Sequence, residues 1–180
     1  MTYKEYEEKA ITTRVYDPKV AIPYVALGLC GEIGELHEKI NATTKVEEVR
    51  KELGDVLWYL AALRVELNLT VDENWPTVEE GELESVDCFV FPVESGKIAE
   101  QVKKYLRDDW KDGEENIFPE KRKEVIQEAW KKLMKAAVAF ACDDFFDKVG
   151  IEVIAAENNE KLATRKKNNC IHGDGDASIR

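Results

Sequence analysis

Two short acidic repeats in the first third of the chain have the residue types and spacing of a cation site. They are Glu32-x-x-Glu35 and Glu52-x-x-Asp55, and each lies in a run whose apolar residues recur at helical spacing. Residues three apart share one face of a helix, so each repeat sets two carboxylates side by side. Four carboxylates turned toward one point repel each other unless they take up protons or bind a cation. Oxygen ligands favour Mg²⁺, with Mn²⁺ as a substitute, and such Mg²⁺ commonly shares its shell with phosphates, which indicates phosphoryl or nucleotidyl chemistry.

Two amphipathic helices must position these carboxylates. The first has an apolar stripe of Val25, Leu29, Ile33, Leu36 and Ile40. The second has a core face of Val49, Leu53, Val56, Leu57, Leu60 and Leu63. A connection at residues 41–44 lets the helices fold back antiparallel, and Thr44 with Glu47 has the spacing of a capping box at the start of the second.

The carboxylates lie beside these apolar residues, at the edge of the predicted core. Desolvation makes a charged group costly there unless it has a function. An E-x-x-E pair taken singly is usually a solvated helix face. The position at the core edge therefore favours a functional role for this set.

Helical patterns also flank this pair of helices. A short helix is predicted within residues 3–16, and residues 68–94 read as a long connector, with a short strand at 88–91 as one interpretation. Ser95 has the type of residue that caps a helix running toward Trp110.

The C-terminal half is predicted to hold two more helices. Pro119 opens a long helix to about Val149 that Gly150 closes, and a last helix covers Ile151 to about Lys167. The pattern as a whole predicts an all-α fold, an antiparallel helical bundle.

The second half of the chain contains a segment whose sequence is similar to that of the first acidic helix. Residues 31–40 and 96–105 share Gly, Ile, Glu and Lys in register, and a gapped alignment places Met134 and Ala137 opposite the second acidic pair. The segment is either a degenerate repeat that lost its ligands or a chance similarity, and both interpretations stay open.

Composition and charge narrow the class of protein. The 180 residues fit one domain, and a net charge of −11 opposes non-specific binding to a nucleic-acid backbone. We expect neither a signal peptide nor a membrane span, and four widely spaced cysteines without a C-x-x-C pair indicate reduced thiols. A cytoplasmic protein is expected.

Two runs carry a resemblance to a known family. G-L-C-G-E-I-G-E-L-H-E-K-I followed by K-E-L-G-D-V-L-W-Y-L resembles the MazG-like branch of the all-α nucleoside triphosphate pyrophosphohydrolases. The C-terminal N-E-K-L-A-T-R and I-H-G-D-G-D are similar to the tail of its small phage-borne and bacterial members. The resemblance implies one all-α domain over 1–180. Within it, 20–70 would be the metal-binding helix pair, 71–149 an insertion or degenerate repeat, and 150–180 a phosphate-contacting helix and tail.

The resemblance also implies roles for individual residues. The implied Mg²⁺ ligands are Glu32, Glu35, Glu52 and Asp55. Lys161 and Arg165, four apart on one helix face, would meet the triphosphate, although such residues are most often ordinary surface cations. Glu38 is either an extra ligand, the base that prepares the attacking water, or a solvated residue.

Further substrate contacts are expected from aromatic and tail residues. Tyr59 and Trp58 are candidates to pack against a nucleobase, although aromatic residues at this spacing are more often part of a core. Asn159 belongs to the tail motif and is expected to bind substrate with the two cations.

The activity expected from the resemblance is Mg²⁺-dependent hydrolysis of a nucleoside or deoxynucleoside triphosphate between the α- and β-phosphates. The products would be the monophosphate and pyrophosphate. The alternatives are a dUTPase-like or other specialised hydrolase of nucleoside tri- or diphosphates, and a non-catalytic nucleotide-binding regulator. The expected partners are the nucleotide and further copies of the chain, as a homodimer or tetramer, with no nucleic acid and no membrane.

Overall fold

Helices account for all regular secondary structure in the described part of the chain. The computed structural model describes residues 1–42, 45–79, 88–111, 116–143, 148–168 and 170. Six α-helices lie in these ranges: α1 Tyr3–Ile11, α2 Ala21–Ala42, α3 Val46–Leu67, α4 Val90–Lys104, α5 Glu120–Ala141 and α6 Ile151–Lys167. A short 3₁₀ turn at Pro18–Val20 precedes α2, and a π-helical turn at Tyr105–Asp109 follows α4. The predicted all-α fold is confirmed.

The helices form a bundle in which α2 contacts both α3 and α4. On α2, Cys30 Sγ lies 3.7 Å from the carbonyl oxygen of Ser95, whereas His37 Nε2 lies 3.1 Å from that of Cys88. Since the higher number on α2 meets the lower number at α4, the two helices run antiparallel. Helix α5 packs on α4, and α6 packs on α3. His37 is thereby part of the packing between helices.

Helix α1 lies along α3 and is held there by polar contacts. Trp58 Nε1 donates to the carbonyl oxygen of Ala10 at 3.1 Å and to Thr13 Oγ1 at 2.9 Å. Glu7 on α1 forms an ion pair of 2.8 Å with Arg64 on α3. Trp58 therefore anchors α1, and its expected contact with a nucleobase stays a prediction.

The start of α4 differs from the sequence-based prediction. The predicted strand at 88–91 is wrong because α4 begins at Val90, and Phe91 and Ile98 on it are fully buried. Tertiary burial outweighs the local strand preference of these aromatic and β-branched residues. Ser95 is not the cap either: it lies inside α4, where its hydroxyl donates to the carbonyl oxygen of Pro92 at 3.3 Å.

The beginning of α3 and the ends of α5 and α6 lie within the described residues. Helix α5 stops at Ala141, earlier than the predicted end near Val149. Gly150, with φ of 79°, precedes α6 and does not close α5. The predicted bounds of α6 are confirmed. Lys45 occupies the N-cap of α3, where its side chain makes no capping hydrogen bond. The predicted capping residue Thr44 lies outside the described residues, as does the tail from Ile171.

Two further observations concern the whole described chain. A bilayer-spanning helix needs a long apolar stretch, and no helix among the described residues has one. None of the four cysteines, all of which lie in the described ranges, forms a disulfide.

Candidate active site

Three carboxylates meet where α2 crosses α3. Glu32 comes from α2, and Glu52 and Asp55 come from α3; one oxygen atom from each lies within 4.8 Å of the other two. Glu52 is buried, and the other two are half-buried. The three-residue spacing on α3 and the packing of α2 against α3 together produce this convergence.

The electrostatics of this cluster favour a bound cation. Partial burial raises the pKa of the Glu32 carboxyl to about 8, and the negative charges of Asp55, Glu35 and Glu52 contribute to the increase. The ammonium group of Lys161 acts in the opposite direction. A divalent cation would relieve the same repulsion that the proton relieves here, so this oxygen-rich set fits Mg²⁺.

The other two acidic residues of α2 lie outside this trio. Glu35 is exposed but close enough to raise the pKa of Glu32. Glu38 is also exposed. At about 100° per residue, Glu35 is rotated by about 60° around the helix from Glu32, and Glu38 by about 120°. Their expected roles as ligand or base stay predictions.

Helix α6 supplies partners to both oxygens of Asp55. Lys161 Nζ lies 2.5 Å from Asp55 Oδ2, and Asn158 Nδ2 donates to Asp55 Oδ1 at 2.9 Å. The two helices approach closely because α3 has a glycine at Gly54, where an added Cβ would lie 3.0 Å from Asn158 Cβ. A cation and an amide from α6 therefore border the carboxylate cluster.

Sequence reasoning missed Asn158 and selected its neighbour. The side chain of Asn159 points toward α1, where its Nδ2 lies 3.4 Å from the carbonyl oxygen of Tyr6. The spacing Asn158-x-x-Lys161 could have indicated Asn158, because residues three apart share a helix face. The expected contact of Asn159 with substrate stays a prediction. Arg165 lies one turn beyond Lys161 and is half-buried.

The aromatic ring of Tyr59 lies beside the carboxylates. Burial raises the pKa of its phenol, with further contributions from a hydrogen bond and charge interaction with Tyr24 and from the charges of Glu32 and Asp55. A Cβ at Gly28 would lie 2.0 Å from Cε1 of the Tyr59 ring, so any larger residue there would force the ring to move. The ring is thus held between α2 and α3, next to the cluster.

Helix α2 contains two further glycines, Gly31 and Gly34, and neither is approached by another side chain. A Cβ added at Gly31 or Gly34 would meet no atom within 4 Å. Of the three glycines of α2, Gly28 is therefore the one that another side chain approaches closely.

Comparison with known proteins identifies the segment that contains the cluster. Residues 24–73 match the family model described as the MazG nucleotide pyrophosphohydrolase domain. This segment is less than a third of the chain and contains both acidic repeats. No curated protein and no solved structure matches the chain. The resemblance that the acidic repeats indicate is confirmed for this segment.

Proposed function

We propose that the MazG-type segment is the centre of a Mg²⁺-dependent nucleoside triphosphate pyrophosphohydrolase. The observation that carries this proposal is the convergence of Glu32, Glu52 and Asp55 within 4.8 Å of one another. The family of the segment supports hydrolysis of a nucleotide phosphoanhydride. The bond that we propose is cleaved lies between the α- and β-phosphates.

The metal would be held by the three convergent carboxylates, with Glu35 as the fourth ligand. Oxygen donors of this kind suit Mg²⁺, and Mn²⁺ would substitute for it. When bound, the ion would supply positive charge to phosphate oxygens and lower the pKa of water.

The cations of α6 would bind the polyphosphate. Lys161 already lies at the cluster, 2.5 Å from Asp55. Arg165, one turn further along α6, would add a second positive charge on the same side. Charge that develops on the departing pyrophosphate would be stabilised by these two groups.

The reaction needs one water molecule and one proton acceptor. The water oxygen forms a bond to the α-phosphorus. The bond between the α-phosphorus and the bridging oxygen breaks, and pyrophosphate leaves with that oxygen. The proton of the water passes to a carboxylate. Glu38 is the candidate acceptor, because it lies one turn past Glu35 on α2 and outside the convergent trio.

The nucleobase would lie toward the aromatic side of the site. Tyr59 adjoins the carboxylates, and Tyr24, which contacts it with ring centroids 6.4 Å apart, is 42% exposed. An exposed aromatic ring beside a phosphate site can stack with a base. Asn159 points toward α1 and would act on substrate binding only by supporting the packing of α6.

The chain is proposed to act as one domain over 1–180, as a homodimer or tetramer in the cytoplasm. The binding of nucleic acid is not expected, given the net charge of −11. Light scattering of the purified protein would measure the number of subunits.

A panel of nucleoside tri- and diphosphates tests the proposed activity. With Mg²⁺, the protein should release pyrophosphate, and not phosphate, from a triphosphate, and Glu52→Gln should abolish release. Cleavage of diphosphates would favour the specialised hydrolase. Binding of a triphosphate with no product from any nucleotide would favour the non-catalytic regulator and contradict the enzyme.

A further inference from the structure

A chain of hydrogen bonds connects α1 to the carboxylate cluster. The hydroxyl of Tyr6 donates to Asn158 Oδ1 at 3.0 Å, and Asn158 Nδ2 donates to Asp55 Oδ1 at 2.9 Å. Tyr6 lies outside the segment that matches the MazG family, on a helix that contributes no carboxylate to the cluster. The contact therefore links the site to a separate part of the fold.

The link is buried along its length. Tyr6 is fully buried, and Asn158 is 4% exposed. Helix α6 is pressed against Gly54 at the position of Asn158, where a Cβ would lie 3.0 Å from Asn158 Cβ. Buried polar groups need partners, and these two groups supply them to each other and to Asp55.

The donors and acceptors fix the orientation of the amide. An ionised carboxylate only accepts hydrogen bonds, so the amide nitrogen of Asn158 must face Asp55. The amide oxygen then faces α1 and needs a donor, which the Tyr6 hydroxyl provides. If that hydroxyl is removed, the oxygen loses its buried donor, and the amide is free to move away from Asp55.

We propose that Tyr6 is a positioning residue for the metal site, which acts by holding the Asn158 amide against the Asp55 carboxylate. The inference rests on the proposed function, because Asp55 is one of the carboxylates that would bind Mg²⁺. Groups that orient metal ligands in this way commonly affect metal affinity without touching the metal.

The chain offers a closely matched control in Tyr3. Both tyrosines lie on α1, and both contact Trp75, with ring centroids 5.3 Å apart for Tyr3 and 5.6 Å for Tyr6. The Tyr3 hydroxyl also donates one buried hydrogen bond, of 2.9 Å, but to Glu7. Tyr3→Phe therefore removes a buried tyrosine hydrogen bond, made to a carboxylate instead of an amide, that does not lead to Asp55.

The experiment is calorimetric titration of the full-length chain with Mg²⁺ alone, without nucleotide, together with thermal unfolding. Tyr6→Phe should weaken Mg²⁺ binding by about tenfold, the low end for groups that orient a metal ligand. Tyr3→Phe should also lower the melting temperature but leave Mg²⁺ affinity unchanged. Equal affinities for the two variants would overturn the inference.

A double variant separates positioning from a general loss of stability. Asn158→Leu removes the amide through which Tyr6 acts, so adding Tyr6→Phe to it should cause no further loss of Mg²⁺ affinity. A further tenfold loss would overturn the inference. If the wild-type protein binds no Mg²⁺, the proposed function is overturned as well. If the wild type binds Mg²⁺ and the Tyr6→Phe and Tyr3→Phe variants bind it with identical affinity, only the role of Tyr6 is overturned.

Discussion

The carboxylates of α2 differ in how closely each approaches the cluster. Glu32 converges with the two acidic residues of α3, Glu35 is exposed beside it, and Glu38 is rotated further around the helix. These positions on the helix are the basis for proposing that Glu32 and Glu35 bind the metal and that Glu38 accepts the proton.

Glutamine substitutions test that separation. Glu35→Gln should weaken Mg²⁺ binding, because it removes a negative charge next to Glu32, whereas Glu38→Gln should leave Mg²⁺ affinity unchanged and lower the turnover number. Mg²⁺ titration and steady-state kinetics measure the two effects. A loss of Mg²⁺ affinity in Glu38→Gln equal to that in Glu35→Gln would make Glu38 a ligand.

The ammonium group of Lys161 contacts Asp55, and it is also expected to bind the phosphates of the nucleotide. Lys161→Met should tighten Mg²⁺ binding in the absence of nucleotide, because the ammonium no longer competes for the Asp55 carboxylate. It should raise KM for the nucleotide about tenfold or more, the effect of losing a charge-assisted hydrogen bond of about 1.5–3 kcal/mol.

A control on the same helix is Lys166→Met. Lys166 donates to the carbonyl oxygen of Thr12 at 2.6 Å and is exposed, so its loss should change neither quantity. Weaker Mg²⁺ binding in Lys161→Met would show that the lysine does not compete with the metal.

At the scale of elements, glycines determine how closely the helices that carry the site approach each other. Tyr59 of α3 occupies the space above Gly28 of α2, and Asn158 of α6 occupies the space above Gly54 of α3. Each glycine lowers intrinsic helix stability by about 1 kcal/mol relative to alanine, so packing must offset this cost.

Two alanine substitutions on α2 should have opposite effects on stability. Gly28→Ala forces the Tyr59 ring to move and should lower the free energy of unfolding by about 1–3 kcal/mol. Gly31→Ala meets no atom within 4 Å and should raise it by up to about 1 kcal/mol. Chemical denaturation measures both, and stabilisation by Gly28→Ala would contradict the packing of Tyr59 on α2.

At the scale of the whole molecule, the stability of the metal-free protein should depend on the protonation of Glu32. The pKa of this carboxyl is about 8 in the folded chain, against an ordinary value of 4.5. The folded state holds the Glu32 proton more tightly than the unfolded state does. The stabilisation that this proton contributes is therefore complete below pH 4.5 and is lost as pH rises through 8. We therefore expect the melting temperature of the metal-free chain to fall as the pH rises from 4.5 to 8.

Mg²⁺ should reverse that fall, because it replaces the proton at the cluster and binds the folded state. The increase in melting temperature on adding Mg²⁺ should thus be larger at pH 8.5 than at pH 6, values on either side of about 8. Glu32→Gln should flatten the pH dependence, and Glu124→Gln, at an exposed site on α5, should not. An unchanged pH dependence in Glu32→Gln would contradict the raised pKa.

The sequence by itself determined the features that depend on local periodicity. A three- or four-residue spacing places side chains on one helix face whatever the helix packs against, so the pairing of Glu52 with Asp55 followed from the chain alone. The same reasoning predicted the bounds of α6, where Gly150 directly precedes a strongly helical run. The family of residues 24–73 was also evident from these motifs.

Only the tertiary structure decided which residues complete the site. Asn158 and Asn159 are adjacent and chemically identical, but they point about 100° apart around α6, so the packing of α6 on α3 selects Asn158. The beginning of α4 at Val90 and the contact of Tyr6 with Asn158 likewise depend on residues distant in the chain. Local spacing fixes the face on which a side chain lies, whereas long-range packing determines what that face meets.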